Sequence, residues 1–450
     1  MGPWHVHHGG VQRGADMNPV RTLKLLGAAA LIAGVVATSA SAAHFDAEAA
    51  TKAYMATLSA QAQARSDAYF EGGYWLQLWD CLIGVALSVV ILATGLSRRM
   101  REWAERRAHR PWLQTALYAL QYFLVVALLT LPWEAYEGYF REHQYGMSNQ
   151  DIYGWLDDQV KGLAIALIFG TIVVMLAYAI LRRAKRSWWL WNTVVVMAML
   201  VLIQVISPNV LEPVFNRFYP LADSPLKQQI LSLARANGVP ARDVYEFDAS
   251  KQTTRISAHV SGLFGTARIS LNDNLLKRAS PEAVRAALGH EMGHYVLNHE
   301  LKSLPPLALI TAIGFGVLAW AFPWLAARCG PRWGIRGLAD PTGLPLLAAL
   351  LSTFLFVMTP VINTITRTME EEADAFGLNA AREPDGFAQA ALLLSDYRKM
   401  KPGPLEEALL FDHPSGWNRI HRAMVWKAEN VTAADIAAYD ASHHPPGYIQ

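Results

Sequence analysis

Long apolar runs separated by polar stretches are the dominant pattern in this chain of 450 residues. An α-helix needs about 20 residues to cross the hydrocarbon core of a bilayer. Six of the runs have that length, and tryptophans stand at several of their ends, as in the aromatic belts of membrane helices. One such run would fit a buried helix of a large soluble protein, but six predict an α-helical membrane protein with several spans. The predicted spans are residues 78–97, 112–133, 160–181, 188–207, 304–326 and 343–365.

A seventh apolar run, residues 25–42, begins after Arg21 and Lys24 and ends in Ala-Ser-Ala. A basic start, an apolar middle and a small-residue end are the layout of a secretory signal peptide, and the run equally fits a first span that is kept. Residues 1–16 show no periodic pattern and fit a leader upstream of a start at Met17. We therefore predict that residues 1–42 are a leader and a signal peptide or first span.

Basic residues concentrate in three of the loops between the predicted spans. The loops after residues 97, 181 and 326 are rich in Arg and Lys, whereas the loop at 134–159 is acidic. Because short cytoplasmic loops carry the excess of Lys and Arg, the basic loops are predicted to lie on the cytoplasmic side. The large polar stretches are then predicted on the opposite side, at residues 43–77, 208–303 and 366–450.

Composition supports the membrane prediction and excludes other classes of protein. Hydrophobic residues make up 53% of the chain and charged residues 17%, against about 25% charged residues in soluble domains. A chain this apolar is not disordered, and a formal net charge of +2 creates no field that attracts nucleic acid. Cys81 and Cys329 are too few for a disulfide framework or a thiolate zinc site, and they are predicted near opposite membrane faces, too far apart to bond.

The polar stretch at 208–303 is predicted to contain a small sheet. An amphipathic helix at about 225–237 ends at the turn sequence Asn-Gly-Val-Pro. Short β-rich runs predict strands at 244–248 and 267–272, and a third at 256–262.

The same pattern predicts two domains. The N-terminal membrane domain, residues 43–207, contains four of the predicted spans. The C-terminal domain, residues 208–450, contains the polar stretch, the last two spans and a helical end segment at 366–450.

The stretch SPEAVRAALGHEMGHYVLNH, residues 280–299, carries the strongest chemical signal. Its first two residues, Ser and Pro, suit the N-cap and the first position of a helix. His290 and His294 are four residues apart on one helix face, so both rings reach one zinc ion. Glu291 stands beside them, where a carboxylate takes a proton from zinc-bound water. This spacing predicts a hydrolytic zinc site.

The alternative interpretation is a surface or core helix with incidental histidines. Gly289 and Gly293 argue against it, because they weaken the helix with no benefit unless another element approaches closely.

A hydrolytic zinc site needs a third protein ligand and leaves a fourth position to water. Residue 300 is Glu, so the longer motif with a third histidine is not present. We expect a distant glutamate from the segment NTITRTMEEEADAFG at 363–377, where the last apolar span ends. Glu370 is followed one turn later by Asp374 on the same face, which suits a ligand and a second carboxylate that holds a histidine N–H.

With these motifs, the chain resembles the type I CAAX prenyl proteases along nearly its whole length. These are membrane zinc endopeptidases with seven spans. Many metalloproteases share the bare zinc motif, but the flanking stretches are far more specific. The stretches that carry the resemblance are GHEMGHYVLNH (289–299), NTITRTMEEEAD (363–374), HPSGWNRI (413–420), LPWEAYEGYFREHQYGMSNQ (131–150) and PVFNRFYPL (213–221).

The resemblance implies a mainly α-helical, multi-span membrane protein with a gluzincin-type zinc peptidase core and a small β-sheet. It implies one Zn²⁺ per chain, with His290, His294 and Glu370 as ligands and Glu291 as general base. Asp374 matches a family aspartate near the metal that is sometimes assigned as a catalytic proton donor. We favour the histidine-holding role, because a donor must reach the leaving nitrogen.

Three further residues are expected at the site from the same resemblance. His413 matches a family histidine that faces the metal and stabilises the oxyanion, although on its own it also fits the cap of a turn before Pro414. Arg419 is expected to be a buried ion-pair partner of a site carboxylate, and Arg367 is expected to act likewise.

One segment departs from the family pattern. The family usually shows Asn-Ala before the strand that precedes the metal helix, whereas this chain has Ser257-Ala258-His259. That asparagine is thought to touch the substrate or the site, so the alignment of substrate is an open question here. The strand at 256–262 still offers main-chain hydrogen bonds to an extended peptide.

The leading hypothesis is an integral-membrane, zinc-dependent endopeptidase. One alternative is a quality-control protease similar to the heat-shock membrane proteases, which have fewer spans before the metal helix. The spans before residue 208 argue against that family but not against that role. The alternative of another class is a non-catalytic membrane receptor or transporter with structural zinc. It requires a fourth protein ligand, and no further His or Cys stands at a useful spacing.

The expected partners are a peptide or protein substrate and the lipid bilayer, with no nucleic acid and no obligate protein partner. Eukaryotic family members keep the zinc domain in the cytosol, whereas the basic loops here place it outside the cytoplasm. We therefore predict a bacterial inner-membrane protein with its active site on the periplasmic side. Prenylated substrates are disfavoured, because most bacteria do not prenylate proteins.

Overall fold

A computed structural model describes residues 45–262, 267–432 and 434–436 of the chain. Residues Ala47–Lys427 form one compact unit. The predicted leader and signal peptide or first span at 1–42 lies outside the described residues. The predicted domain boundary between residues 207 and 208 stays a prediction.

Six described helices are long and apolar enough to cross a membrane, which confirms the multi-span prediction. They extend beyond the predicted apolar runs, because the polar flanks of each run continue the same helix. The helices before the sheet are α1 (Ala47–Ala56), α2 (Ala60–Ala93), α3 (Leu96–Arg107), α4 (Pro111–Gln144), α5 (Ile152–Arg183) and α6 (Trp188–Phe215). The six spanning candidates are α2, α4, α5 and α6 and, after the sheet, α10 (His299–Trp333) and α11 (Leu344–Ala381).

A mixed sheet of four strands follows α6. Its outer pairs are antiparallel and its central pair is parallel, in the order β1-β2-β4-β3. The strands are β1 (Phe218–Pro220), β2 (Ala241–Phe247), β3 (Ala258–Ser261) and β4 (Ala267–Asn272). The remaining helices are α7 (Pro225–Ala236), α8 (Asp273–Arg278), α9 (Pro281–Val296), α10 (His299–Trp333), α11 (Leu344–Ala381), α12 (Pro384–Leu393), α13 (Pro404–Leu410) and α14 (Gly416–Asn430).

Three of the four strands and α7 lie where the sequence predicts them. The exception is β1, which falls in a stretch that carries no strand pattern. Its register is set by pairing with β2, and the ring of Phe218 stacks on that of Phe247 with centroids 5.3 Å apart. A three-residue strand of this kind depends on tertiary contacts, which local propensity does not report.

The sheet and the metal helix share one hydrophobic core. Ile269 and Leu271 of β4 are fully buried against Leu288 and Met292 of α9. Full burial of each such side chain contributes about 1.5–3 kcal/mol. The helix begins as predicted, because the Ser280 hydroxyl accepts a hydrogen bond from the Ala283 N–H at 3.2 Å. Packing of α9 on the sheet fixes which face of the helix remains free for chemistry.

The predicted basic loops meet at one end of the membrane helices. Arg101 on α3 contacts Asp340, before α11, with Nη1 and Oδ2 2.8 Å apart, and both residues are buried. Arg336 pairs with Glu105 at 2.6 Å, and these contacts join the first basic loop to the third. Cys81 and Cys329 are both free, in agreement with the prediction that they do not bond.

Candidate metal centre

The two histidines of α9 come together on the free face of that helix. His290 and His294 are one turn apart, and their Nε2 atoms lie 3.2 Å from each other. His290 is buried, while His294 is partly open to a cavity. Glu291, between them in the sequence, also lines this cavity. The helix therefore presents the predicted pair of nitrogen ligands and a carboxylate to one space.

Three glycines allow α9 and α11 to touch backbone to backbone. A Cβ atom on Gly289 would lie 3.0 Å from the carbonyl oxygen of Gly377, and one on Gly293 would lie 3.1 Å from Cα of Ala373. A Cβ atom on Gly377 would lie 2.7 Å from the backbone nitrogen of His290. This confirms the interpretation that Gly289 and Gly293 mark a close approach, and the approach brings α11 within reach of the histidines.

Glu370 of α11 completes a group of three metal-binding side chains. Its Oε2 atom lies 3.2 Å from His290 Nε2, and its Oε1 atom lies 3.4 Å from His294 Nε2. A tetrahedral zinc ion with bonds of about 2.0–2.1 Å has ligand atoms about 3.3 Å apart. Glu370 Oε2 is buried and accepts no hydrogen bond from any described residue. The donor types, the spacing and the unsatisfied oxygen all fit one zinc ion.

Asp374 holds His290 from the other edge of its ring. The Nδ1 atom of His290 lies 2.8 Å from Asp374 Oδ1, so Nε2 faces the metal group. Asp374 is fully buried, and its two oxygens share a bifurcated hydrogen bond from the Arg419 Nε–H at 3.0 and 3.1 Å. Burial alone would lower the pKa of His290, but the neighbouring carboxylates of Asp374 and Glu370 raise it to about 9. The surrounding charge therefore favours a cation at this position.

His294 is held by His299, a residue that no sequence motif singles out. Its Nδ1 atom lies 3.0 Å from Nδ1 of His299, which is buried. The Nε2 atom of His299 lies 3.2 Å from Glu372 Oε2, and Lys302 Nζ lies 3.1 Å from the same oxygen. The sequence signal for it is slight: a histidine at the start of α10, after a helix break at Asn298, whose φ of 55° is left-handed.

His413 also reaches the metal group, as the resemblance implies. Its Nε2 atom lies 3.3 Å from Glu370 Oε1, and its Nδ1 atom lies 2.8 Å from Asp412 Oδ1. The ring is thus oriented by Asp412 toward the space beside the three ligands.

Arg367 lies apart from the site carboxylates. Its guanidinium donates to the carbonyl oxygens of Glu407 and Ala408 at 2.9 and 3.3 Å. These carbonyls belong to the last turn of α13, where that of Glu407 also accepts a hydrogen bond from the Phe411 N–H at 3.3 Å. The helix end therefore takes the hydrogen bonds that were expected to go to a site carboxylate.

The metal group opens into a cavity of about 880 Å³. The edge strand β3 forms one wall, and apolar side chains of α6 and α10, such as Leu200 and Leu304, form another. Glu291 lies in this cavity, and burial raises the pKa of its carboxyl group. A carboxylate with a raised pKa, beside three side chains that can hold a metal and in a cavity large enough for a peptide, suits proton transfer during hydrolysis.

Two family models match adjoining parts of the chain. The model described as CAAX prenyl protease N-terminal, five membrane helices, matches residues 43–217, and the model described as peptidase family M48 matches residues 220–427. The chain is similar to the uncharacterized metalloprotease YhfN of Bacillus subtilis, with 30% identity over 355 residues that cover 78% of this chain and 83% of that one.

Further relatives are eukaryotic. CAAX prenyl protease 1 of Saccharomyces cerevisiae is 26% identical over 332 residues, 69% of this chain and 70% of the relative. The crystal structure of S. mikatae Ste24p is similar in fold, with a TM-score of 0.68 at 23% identity, covering 82% of this chain and 89% of that chain.

Proposed function

The chain belongs to peptidase family M48, and from this premise we propose that it hydrolyses peptide bonds with one zinc ion held by His290, His294 and Glu370. The family confirms the prediction of a membrane metalloprotease. The observation that carries the ligand assignment is the meeting of three donor atoms from two helices in the wall of a cavity. A structural zinc needs a fourth protein ligand, and the group found among the described residues has three members.

Glu291 is the general base in this proposal. A zinc ion held by His290, His294 and Glu370 would supply Lewis acidity for water and for a peptide carbonyl. Glu291 removes the proton from the attacking water and later delivers it to the leaving amine. Its place next to His290 on α9 puts the carboxylate in the cavity that receives the substrate.

A histidine, an aspartate and an arginine complete the proposed machinery. His413 Nε2 faces the metal group and is positioned to donate a hydrogen bond to the developing oxyanion. Asp374 keeps the Nδ1 atom of His290 protonated, and Arg419 neutralises the buried carboxylate. Because Asp374 lies on the far edge of the His290 ring, we assign it to orienting that ligand rather than to proton donation.

The substrate is proposed to bind as an extended strand along β3. This strand is at the edge of the described sheet, and residues Ile256–Ser261 line the metal cavity. The family's usual asparagine is replaced by Ser257, whose backbone N–H donates to Asn272 Oδ1 at 3.0 Å. The main chain of the strand is therefore fixed, and its outer edge remains to pair with a peptide.

The active site is proposed to lie on the non-cytoplasmic side of a bacterial inner membrane. The contacts of Arg101 with Asp340 and of Arg336 with Glu105 gather two of the basic loops at one end of the helices. The positive-inside rule assigns that end to the cytoplasm.

The test is proteolysis of a peptide library by the purified full-length protein in detergent, with metal content measured on the same samples. The variants are Glu291→Gln and, as a control on the same helix, Glu282→Gln, which lies in the first turn and lines no part of the cavity. We expect Glu291→Gln to retain one zinc per chain and lose activity by about 10²–10⁴-fold, and Glu282→Gln to behave like the wild type.

The outcomes separate catalysis from metal binding. A chelator that removes zinc should abolish cleavage, and zinc should restore it. If Glu291→Gln with zinc bound cleaves as fast as the wild type, the proposed base is wrong. If the wild type binds zinc and cleaves nothing, the result favours the hypothesis of a non-catalytic receptor or transporter with structural zinc.

A further inference from the structure

A second cavity adjoins the metal cavity and shares two residues with it. This second cavity has a volume of about 780 Å³ and is lined by parts of α2, the end of α4 and residues 252–255. Tyr397 and Arg398 line both cavities. They directly follow the short turn Leu394–Asp396, which ends the α12 segment. The pair therefore lies where a chain bound at the metal would continue into the second cavity.

Arg398 is the arginine without a partner at this junction. Among the described residues, no carboxylate lies within ion-pair distance of its guanidinium, and no hydrogen bond from it is found. The other arginines that line the cavities are engaged. Arg419 binds Asp374, Arg255 donates to Glu142 at 2.7 Å, and Arg141 donates to the carbonyl oxygen of Tyr69.

The backbone around Arg398 is held in place. Its N–H donates to the carbonyl oxygen of Leu394 at 3.0 Å, and its own carbonyl accepts from the Ser66 hydroxyl at 2.9 Å. The preceding residue, Tyr397, donates a hydrogen bond from its hydroxyl to the carbonyl oxygen of Ile256 at 3.4 Å. The following residue, Lys399, binds Glu71 and Glu406. The guanidinium is thus carried by an anchored segment, which suits a group that binds a ligand.

The Arg398 side chain is half-buried and lines both cavities, and an arginine that loses part of its hydration without gaining an anion is unfavourable. Burial lowers the pKa of Arg398, in keeping with this cost, although an arginine keeps its charge in proteins. The nearby acidic groups are already engaged, because Asp412 accepts from His413 at 2.8 Å and Glu370 belongs to the metal group. The missing partner is therefore expected to arrive with a ligand, and a planar guanidinium suits a carboxylate, which it binds through two parallel hydrogen bonds.

We propose that Arg398 binds a carboxylate of the substrate and so determines which peptides the enzyme accepts. This inference rests on the proposed function, since it concerns a peptide in the metal cavity. The carboxylate has two possible sources, the C-terminus of the peptide and an acidic side chain within it. Arg398 is a specificity-determining residue, because it acts on a group away from the bond that is cleaved.

The test uses fluorescein-labelled ten-residue peptides rich in Ala and Leu, in three forms. One ends in a free carboxylate, one ends in an amide, and one ends in an amide but carries an internal glutamate. Binding is measured by fluorescence anisotropy and cleavage by kcat/KM, so that a failure of catalysis leaves the binding result intact. The proteins are the wild type, Arg398→Gln, Arg398→Lys and the control Lys401→Gln, whose ammonium lies over the Trp417 ring and lines neither cavity.

We expect the wild type to bind one of the two carboxylate peptides at least tenfold more tightly than the plain amide. Arg398→Gln should lose that preference and bind the amide as before, Arg398→Lys should recover part of it, and Lys401→Gln should keep it. The peptide that is preferred identifies the source of the carboxylate.

Several results would overturn the proposal. The wild type could bind all three peptides equally, or bind neither carboxylate peptide. Arg398→Gln could also lose affinity for all three peptides to the same extent. A competition arm adds vesicles of phosphatidylglycerol or phosphatidylcholine. If vesicles of phosphatidylglycerol, but not those of phosphatidylcholine, abolish the difference in peptide binding between the wild type and Arg398→Gln, the anion is a lipid phosphate. The assignment to substrate is then wrong.

Discussion

The Nδ1 atom of His299 lies 3.0 Å from the Nδ1 atom of His294. With His294 Nε2 turned toward the metal group, its Nδ1 carries the ring proton and donates it to His299. His299 then accepts at Nδ1 and donates from Nε2 to Glu372, whose charge Lys302 balances. The orientation of one metal ligand is thus set by a chain of side chains that ends at the surface.

Substitution of His299 should weaken metal binding. We expect His299→Ala to reduce zinc affinity by about 10–100-fold, because the His294 ring loses the group that fixes its orientation. The measurement is competition with a zinc chelator of known affinity. His299→Asn, whose side-chain oxygen still accepts a hydrogen bond, should recover part of the affinity. Thermal unfolding of the metal-free variants checks that the fold is intact, and an unchanged zinc affinity in folded His299→Ala would rule out this role.

Asp374→Asn should be strongly destabilising. The substitution leaves the guanidinium of Arg419 buried without its anion, which typically costs about 3–5 kcal/mol. Denaturant unfolding in detergent measures the free energy of unfolding. Glu371→Gln is the matched control on the same helix, because Glu371 is half exposed and its contact with Arg422 spans 3.6 Å. Equal stability of the two variants would show that the buried pair contributes little.

The close contact between α9 and α11 predicts that one methyl group added at Gly377 disrupts the metal site. Gly377→Ala would place a Cβ atom 2.7 Å from the His290 nitrogen, so the helices must separate and Glu370 must shift. We expect loss of zinc binding together with a lower Tm. Gly316→Ala in α10 meets nothing within 4 Å and should leave both unchanged, or raise Tm slightly because alanine favours helix. Normal zinc binding by Gly377→Ala would contradict the close approach.

The cluster of Lys399 and Glu406 predicts how stability depends on pH. Burial alone would raise the pKa of Glu406, but its hydrogen bonds from Lys399, Gly403 and Tyr74 lower it below 4.5. Burial alone would lower the pKa of Lys399, but its bonds to Glu71 and Glu406 raise it above 10.5. The contribution of Glu406 to the free energy of unfolding is therefore complete above pH 4.5 and is lost as the pH falls through its folded-state pKa. The contribution of Lys399 is complete below pH 10.5 and is lost as the pH rises through its folded-state pKa.

Glu406→Gln should accordingly lower the free energy of unfolding by about 1–3 kcal/mol at neutral pH. The difference in Tm between this variant and the wild type should shrink as the pH falls below 4.5. Asp223→Asn changes an exposed carboxylate and should shift Tm little at any pH. A difference that grows in acid would mean that the carboxylate of Glu406 does not stabilise the fold.

The spans and the histidine pair were predictable because each depends on a local rule. Apolar length reports a span directly, since the bilayer sets a single thickness. The interval between His290 and His294 reports a shared helix face, since the helix repeat is fixed. Glu370 followed from the segment that combines acidic residues with the end of the last span.

The remaining features depend on contacts between distant parts of the chain. The strand β1 exists through its pairing with β2, and the partners of Arg367 belong to the end of α13. His299 and Arg398 look like ordinary polar residues in the sequence. One is identified by its distance to His294, and the other by the lack of any partner for its guanidinium among the described residues.

The metal group joins α9 to the far end of α11, and α10 and most of α11 lie between these points in the chain. An ion that binds both ends closes this long segment into a loop, and its removal returns the entropy of an open chain. Separation of α9 from α11 therefore requires that a bound metal be released. Zinc should slow the unfolding of the catalytic half more than that of α2 to α5, so the ion acts as a cross-link in the folded chain as well as a reagent.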